Sequence, residues 1–410
     1  MLLENWRKRY RVFKRSLPRN RVLASVIVLL ENWRKRYRLF KYSVPRDRVR
    51  ASVSVLSDGF NIEFGAQSFF VKIGRAPDPN IATFDFAVFG LAAMSMSNNI
   101  EITLDSPVSE SAASQLTRMQ NTFDTWTCPK IAPLRLQLST VVPNPECPPR
   151  SAVGICLSGG VDSTAAAIEA LDAHALTHGM LIAGADYPGR DAPGFIELHR
   201  KVAQQAEILG IDLLVTETNI RTCGFQWEML HSLNLAMCLH ANSDLLTTGA
   251  IGADLTDIQD LTMHPWGTSH AMSDLFPTAN MGILSLNRTR GRTEKLREIC
   301  NKTPELVEKL SVCWVDTSTG NNCGKCIKCQ RTKLNFLAAI GEVPDIFIEN
   351  PSVVDFVQKL SVPKRSSEIK TELVQMSNIY QNLDEGELKS VLGVHLAKIK
   401  KAYVLRMPMP

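Results

Sequence analysis

One seven-residue stretch of this chain has the makings of an anion site: Ser158-Gly159-Gly160-Val161-Asp162-Ser163-Thr164. Two adjacent glycines let the backbone turn tightly and bring its N–H groups against a ligand with no Cβ in the way. The Ala-rich residues that follow predict a helix, whose first amides and positive end suit a negative charge. Ser158, Ser163 and Thr164 add hydroxyl donors. Asp162 is the odd member, a carboxylate where a phosphate should sit, and the expectation is that a metal ion lies between them. The stretch is neither GxxxxGK[ST] nor GxGxxG, so it is not one of those two phosphate-binding turns. A multiply charged anion held there needs further cations aimed at it. The downstream candidates are Arg190, Arg200, Lys201, Arg292 and Lys295.

A second cluster has metal-ligand spacing. Cys313, Cys323, Cys326 and Cys329 follow the pattern C-x9-C-x2-C-x2-C within residues 313–329. Four thiolates can surround one tetrahedral Zn²⁺ at about 2.3 Å each. CxxCxxC also suits an iron–sulfur cluster; zinc is the favoured reading. With four ligands no position is left for water, so the metal is expected to be structural. Lys325, Lys328, Arg331 and Lys333 would offset the charge of such a centre. The other six of the ten cysteines are scattered, unlike a secreted disulfide framework, which leads to the expectation of a cytoplasmic protein.

The elements that must position these residues come from hydropathy periodicity. Strand-like and helix-like runs alternate after Pro149: strands at 152–157, 180–185, 212–217 and 244–248, and helices at 163–174, 194–209 and 227–242. That alternation predicts an α/β fold with a parallel sheet, its ligand site at the carboxyl ends of the strands. The expected units are a basic segment (1–48), an α+β accessory domain (49–148), an α/β domain carrying the glycine turn and the cysteines (149–345) and a helical C-terminal segment (346–410). Within 49–148, strands are expected at 51–56, 69–73, 100–104 and 134–142, and helices at 84–96 and 109–125. Pro143, Pro145, Pro148 and Pro149 mark the boundary. Helices are expected at 353–360 and 367–383, and an amphipathic one at 389–402 with no partner legible in the sequence.

The loop resembles that of the PP-loop family, the N-type ATP pyrophosphatases, whose mark is SGGxDS after the first strand; all five specified positions match. The resemblance implies an adenine nucleotide alpha hydrolase-like fold, ATP with its pyrophosphate in the loop, Mg²⁺ assistance and attack of a substrate oxygen on the α-phosphorus. It implies catalytic roles for Asp162, Ser163, Arg292 and Lys295. Asp186-Tyr187 falls where the family lines its adenine pocket, and Gly249-Ala250 where backbone approaches the nucleotide. With Cys313-Trp314, Cys323-Gly324-Lys325-Cys326, Cys329 and Arg331, the chain is similar to the 7-cyano-7-deazaguanine synthase family over 153–341. Members of that family use ATP and ammonia to convert a deazapurine carboxylate to an amide and then a nitrile. The partners implied are a small-molecule carboxylate and an amine or ammonia. The chain departs from that family in the residues before its loop and in lacking its YPDCR-type segment. Asp257–His270 stands instead, with His264, Pro265, Trp266 and His270 as candidates for a different acceptor pocket.

Charge is unevenly spread. The formal net charge is +5, yet residues 1–50 hold 16 Lys and Arg against three acids, so the rest carries 30 − 38 = −8. The basic part is a tandem duplication with a 27-residue period: LENWRKRYR at 3–11 returns at 30–38. Two copies are too few for a solenoid. Nucleic acid is therefore a candidate partner only through this segment, where Trp6, Tyr10, Trp33 and Tyr37 interleave with cations. Its arginines followed by VLASVIVLL imitate a signal peptide, but no small-x-small cleavage site follows. No apolar run reaches the roughly 18 residues of a membrane span. Two readings compete with carboxylate activation: tRNA thiolation using Cys223 or Cys238, and a nucleotide-binding regulatory protein without turnover.

Overall fold

The computed structural model describes residues 44–126, 130–146, 152–262, 267–315 and 318–406. The duplicated segment up to residue 43 and the loop residues His264, Pro265 and Trp266 lie outside the described residues.

Alternating apolar residues build the first part. β1 (Arg48–Leu56) and β2 (Gly59–Phe64) form an antiparallel hairpin, with β3 (Gln67–Lys72) antiparallel to β2. Phe60, Ile62, Phe64, Phe69 and Val71 all face the core. α1 (Asp85–Asn98) follows, then β4 (Glu101–Leu104), which runs parallel to β1. β5 (Val108–Ser109), α2 (Glu110–Trp126), β6 (Leu136–Leu138) and β7 (Val141–Val142) complete it; β6 pairs with β4, and β5 with β7.

Strand and helix then alternate: β8 (Val153–Cys156), α3 (Val161–His174), β9 (Leu176–Ala183), α4 (Pro193–Leu209), β10 (Asp212–Thr218), α5 (Trp227–His240), β11 (Thr248–Gly252) and β12 (Gly282–Leu286). The result is α/β, with one large, mostly parallel sheet of order β12-β11-β8-β9-β10-β3-β2-β1-β4-β6. Strands β8 to β10 step one way from β8, whereas β11 and β12 lie on its other side. Loops leaving β8 and β11 therefore flank a topological switch point, where open sheets of this kind hold ligands. The antiparallel join of β10 to β3 (Glu217 to Lys72, Thr218 to Val71) makes the sheet continuous.

The expected fourth strand is displaced. Residues 244–248 were predicted to pair, but the strand occupies Thr248–Gly252. The N–H groups of Leu245 and Leu246 are consumed by the Asn242 carbonyl in a turn at the end of α5, and Asp244 pairs with Arg75. Gly249 and Ala250 consequently sit inside β11, and its carboxyl end is Gly252-Ala253-Asp254. β2 and β12 were not anticipated, although Asp58-Gly59 is a strong hairpin signal.

The remaining helices are α6 (Asp257–Thr262), α7 (His270–Ser273), α8 (Arg292–Lys302), α9 (Ile327–Ile340), α10 (Val353–Lys359), α11 (Ser366–Asn382) and α12 (Glu387–Arg406). The last of them supplies the helix whose partner the sequence left open: Leu392 and Leu396 pack with Leu334, Met376 and Ile379 in a separate apolar cluster. Among the described residues, no helix is long and apolar enough to cross a membrane.

Candidate anion site and metal centre

The glycine turn lies between β8 and α3. Gly159 has φ +76°, a left-handed conformation that favours glycine, and a Cβ there would stand 3.0 Å from Val202 Cγ2. The first intrahelical bond of α3 runs from Thr164 N–H to the Gly160 carbonyl (3.0 Å). The amides of Val161, Asp162 and Ser163 therefore stand ahead of the helical ladder, in the position that suits an anion. Ser163 Oγ donates to the Gly160 carbonyl (3.1 Å), accepts from Ser158 N–H (3.2 Å) and lies 3.1 Å from Ser158 Oγ. Thr164 is fully buried, and its hydroxyl donates to Gln205 Oε1 (3.4 Å), so it braces the loop from beneath.

Gln205 had no sequence signal, being one glutamine in an amphipathic helix. Its Nε2 donates to the carbonyls of Lys309 (3.0 Å) and Gly159 (3.4 Å). Ser311 N–H also donates to the Gly159 carbonyl (2.8 Å). The loop is held from outside its own β–α unit by the chain that leads into the cysteines.

Asp162 gathers the two basic residues at the start of α8. Arg292 Nη2 donates to Asp162 Oδ2, and Lys295 Nζ lies 3.0 Å from Asp162 Oδ1. Burial alone would raise this carboxyl, but the two cations outweigh it and hold it down at about 2. The same contact raises Arg292. Lys295 is fully buried and also donates to the carbonyls of Ala253 and Asp254, at the carboxyl end of β11. Residues 130 positions apart thus meet because the ends of β8 and β11 are neighbours. Both oxygens of Asp162, where a metal ion is expected from the sequence, are engaged by side-chain cations.

The other basic candidates are committed elsewhere. Arg190 donates to the Val215 carbonyl and stands 3.5 Å from Glu217. Exposed Arg200 pairs with Glu197, and buried Lys201 donates to Asn321 Oδ1 (2.8 Å). Asp186 is exposed at the turn after β9, while Tyr187 is buried, its ring centroid 6.3 Å from that of Phe195. His270 begins α7, with Nε2 3.4 Å from Asp274 Oδ2. Cys223 and Cys238 are buried, and burial pushes both thiols up, away from the thiolate that sulfur transfer requires.

The four cysteines come together. Cys313, Cys323, Cys326 and Cys329 have sulfurs that all lie within 4.8 Å of one another. Two of the separations, Cys313–Cys326 and Cys323–Cys329, are 3.9 Å. Four thiolates at about 2.3 Å from a tetrahedral zinc would be roughly 3.8 Å apart, so the cage has the dimensions of one such ion. Backbone N–H groups of Cys326 and Cys329 donate to the sulfurs of Cys323 and Cys326 (3.4 Å each), which favours thiolate. The set could hold a metal ion such as zinc. It is the one such group of three or more His, Cys, Asp or Glu among the described residues. Two further features shape the cage, and of these Asn322 had no signal in the sequence. Asn322 accepts from the N–H groups of Val312 (2.8 Å) and Cys313 (3.3 Å) and donates to Leu310 (2.9 Å) and Ile346 (3.1 Å). Gly324 has φ +77°, and a Cβ there would fall 1.7 Å from the Glu349 carbonyl oxygen. Lys333, fully buried, donates to that carbonyl (2.8 Å).

Comparison with protein-family models, curated proteins and solved structures finds no match to this chain.

Proposed function

We propose that the chain is an ATP-dependent enzyme that adenylates a carboxylate and passes the acyl group to ammonia or an amine, as the 7-cyano-7-deazaguanine synthase family does. The observation that carries the reading is the convergence of the Ser158–Thr164 turn, Arg292 and Lys295 at the switch point of the sheet. The β- and γ-phosphates lie against the amides of Val161 to Ser163, with Arg292 beside them. A carboxylate oxygen attacks the α-phosphorus, the bond to the bridging oxygen breaks, and pyrophosphate leaves with that electron pair. The amine nitrogen then attacks the acyl carbon, AMP departs with the bridging oxygen, and the surplus N–H proton goes to solvent. Adenylate is already a good leaving group, so the step needs orientation more than acid–base residues. Cys313, Cys323, Cys326 and Cys329 hold a structural zinc whose role is to fix Ser311 against the loop.

The test is acid-dependent exchange of labelled pyrophosphate into ATP across a panel of carboxylic acids, deazapurine carboxylates included. Exchange with one class of acid, and transfer of ¹⁸O from that acid to AMP, are expected. ATP that binds without exchange under any acid would instead favour the regulatory reading.

A further inference from the structure

The surroundings of Asp162 leave it little freedom. Lys295 Nζ has three protons and three acceptors: Asp162 Oδ1 and the carbonyls of Ala253 and Asp254. Its side chain is wholly buried, so it cannot let go of the carboxylate without stranding a charge. Arg292 takes the other oxygen through Nη2, while its buried Nε has no hydrogen-bond partner among the described residues. Arg292 thus has donor capacity to spare, and each oxygen of Asp162 already faces a side-chain cation. A divalent cation arriving at Asp162 would meet two fixed positive charges at contact distance.

We infer that Asp162 is a positioning residue and not a metal ligand. With Lys295 it forms a fixed pair that aims the Arg292 guanidinium at the anion held by the turn. The cationic help expected from a metal on this carboxylate comes from the protein's own side chains, and any divalent ion enters on the phosphates of the nucleotide. The inference rests on the proposed reading only for the identity of that anion.

The experiment uses the full chain, with its zinc content and melting temperature checked for every variant. Free Mn²⁺ is measured by electron paramagnetic resonance without nucleotide, and inorganic pyrophosphate and ATP are titrated calorimetrically without divalent metal. Wild type is expected to bind Mn²⁺ no more tightly than Asp162→Asn. The double variant Arg292→Met, Lys295→Met releases the carboxylate and gains at least tenfold in Mn²⁺ affinity; adding Asp162→Asn erases that gain. Arg292→Met and Asp162→Asn each lose at least tenfold in pyrophosphate affinity, and Arg292→Lys recovers part of it. Tight Mn²⁺ binding by free wild type that Asp162→Asn abolishes overturns the inference and leaves the nucleotide reading standing. Failure of wild type to bind pyrophosphate or ATP at any metal concentration overturns both.

Discussion

At the residue scale, the Asp162 carboxylate ties the acid stability of the protein to the candidate anion site. Burial opposes its charge, yet Arg292 and Lys295 hold it at about 2, below the roughly 3.9 of an unfolded aspartate. Because the folded value is the lower one, this contribution is complete above about pH 4 and is lost as pH falls from there towards 2. Asp162→Asn should remove that acid-side loss. It should also cost about 3–5 kcal/mol at pH 7, since Lys295 is left buried with its carboxylate partner gone. Urea midpoints at pH 7 and pH 3 check both. A variant as stable as wild type at pH 7 would mean that the pair contributes nothing. Charge alone put Arg190, Arg200, Lys201, Arg292 and Lys295 on an equal footing, and only the resemblance singled out Arg292 and Lys295. The choice depends on which strand ends adjoin, information carried by sheet order and not by residue type. Gln205 could not be nominated at all, because a glutamine satisfying a distant carbonyl looks like any surface glutamine until the chain is folded.

At the element scale, the cysteine cluster, which could hold a metal, and the glycine turn are joined by hydrogen bonds. The chain from Leu310 to Cys313 is held on one side by Asn322 and on the other by the Gly159 carbonyl, which accepts from Ser311 N–H. Without a cation, burial pushes the Cys326 and Cys329 thiols up, so the cage has no charge to organise it. Purified protein should therefore contain one zinc per chain, released with thiol-reactive titrant. Cys326→Ser should lose the metal and weaken pyrophosphate binding by tenfold or more, although no cysteine is expected to touch the ligand. Retention of full pyrophosphate affinity in the metal-free variant would separate the two sites. The cage was legible because four sulfur ligands at short spacing have few other uses. The strand at Thr248–Gly252 was misplaced because Leu245 and Leu246 are as apolar as a strand. Their amides are claimed by the Asn242 turn, which hydropathy does not register.

At the scale of the whole molecule, one sheet and one of its apolar clusters run through segments that composition divides. Proline density suggested a boundary near residues 143–149, and that signal is local: it tells where a strand must stop, not whether strands on either side pair later. Here β3 joins β10, and α1 lies against α5, with Phe89 stacked on His240 (centroids 4.7 Å apart) and edge-on to Phe276 (5.7 Å). His240 is buried and held down at about 4 by the loss of solvent, so it is neutral at pH 7 and its Nε2 pairs with the Phe276 carbonyl (2.9 Å). Phe89 is itself fully buried at this join. Truncating it removes a ring from a contact that both parts share, at a cost of about 3–5 kcal/mol. If the join is part of one cooperative structure, Phe89→Ala lowers a single calorimetric transition, and the loss of Trp fluorescence and of bound zinc moves down with it. If the parts are independent, the scan splits: the transition associated with the N-terminal strands falls, while the zinc-bearing part melts where it did before. The second outcome would leave the anion site indifferent to residues 44–146. The first would make those strands a support for the end of β10, and so for the crevice in which Arg292 faces the turn.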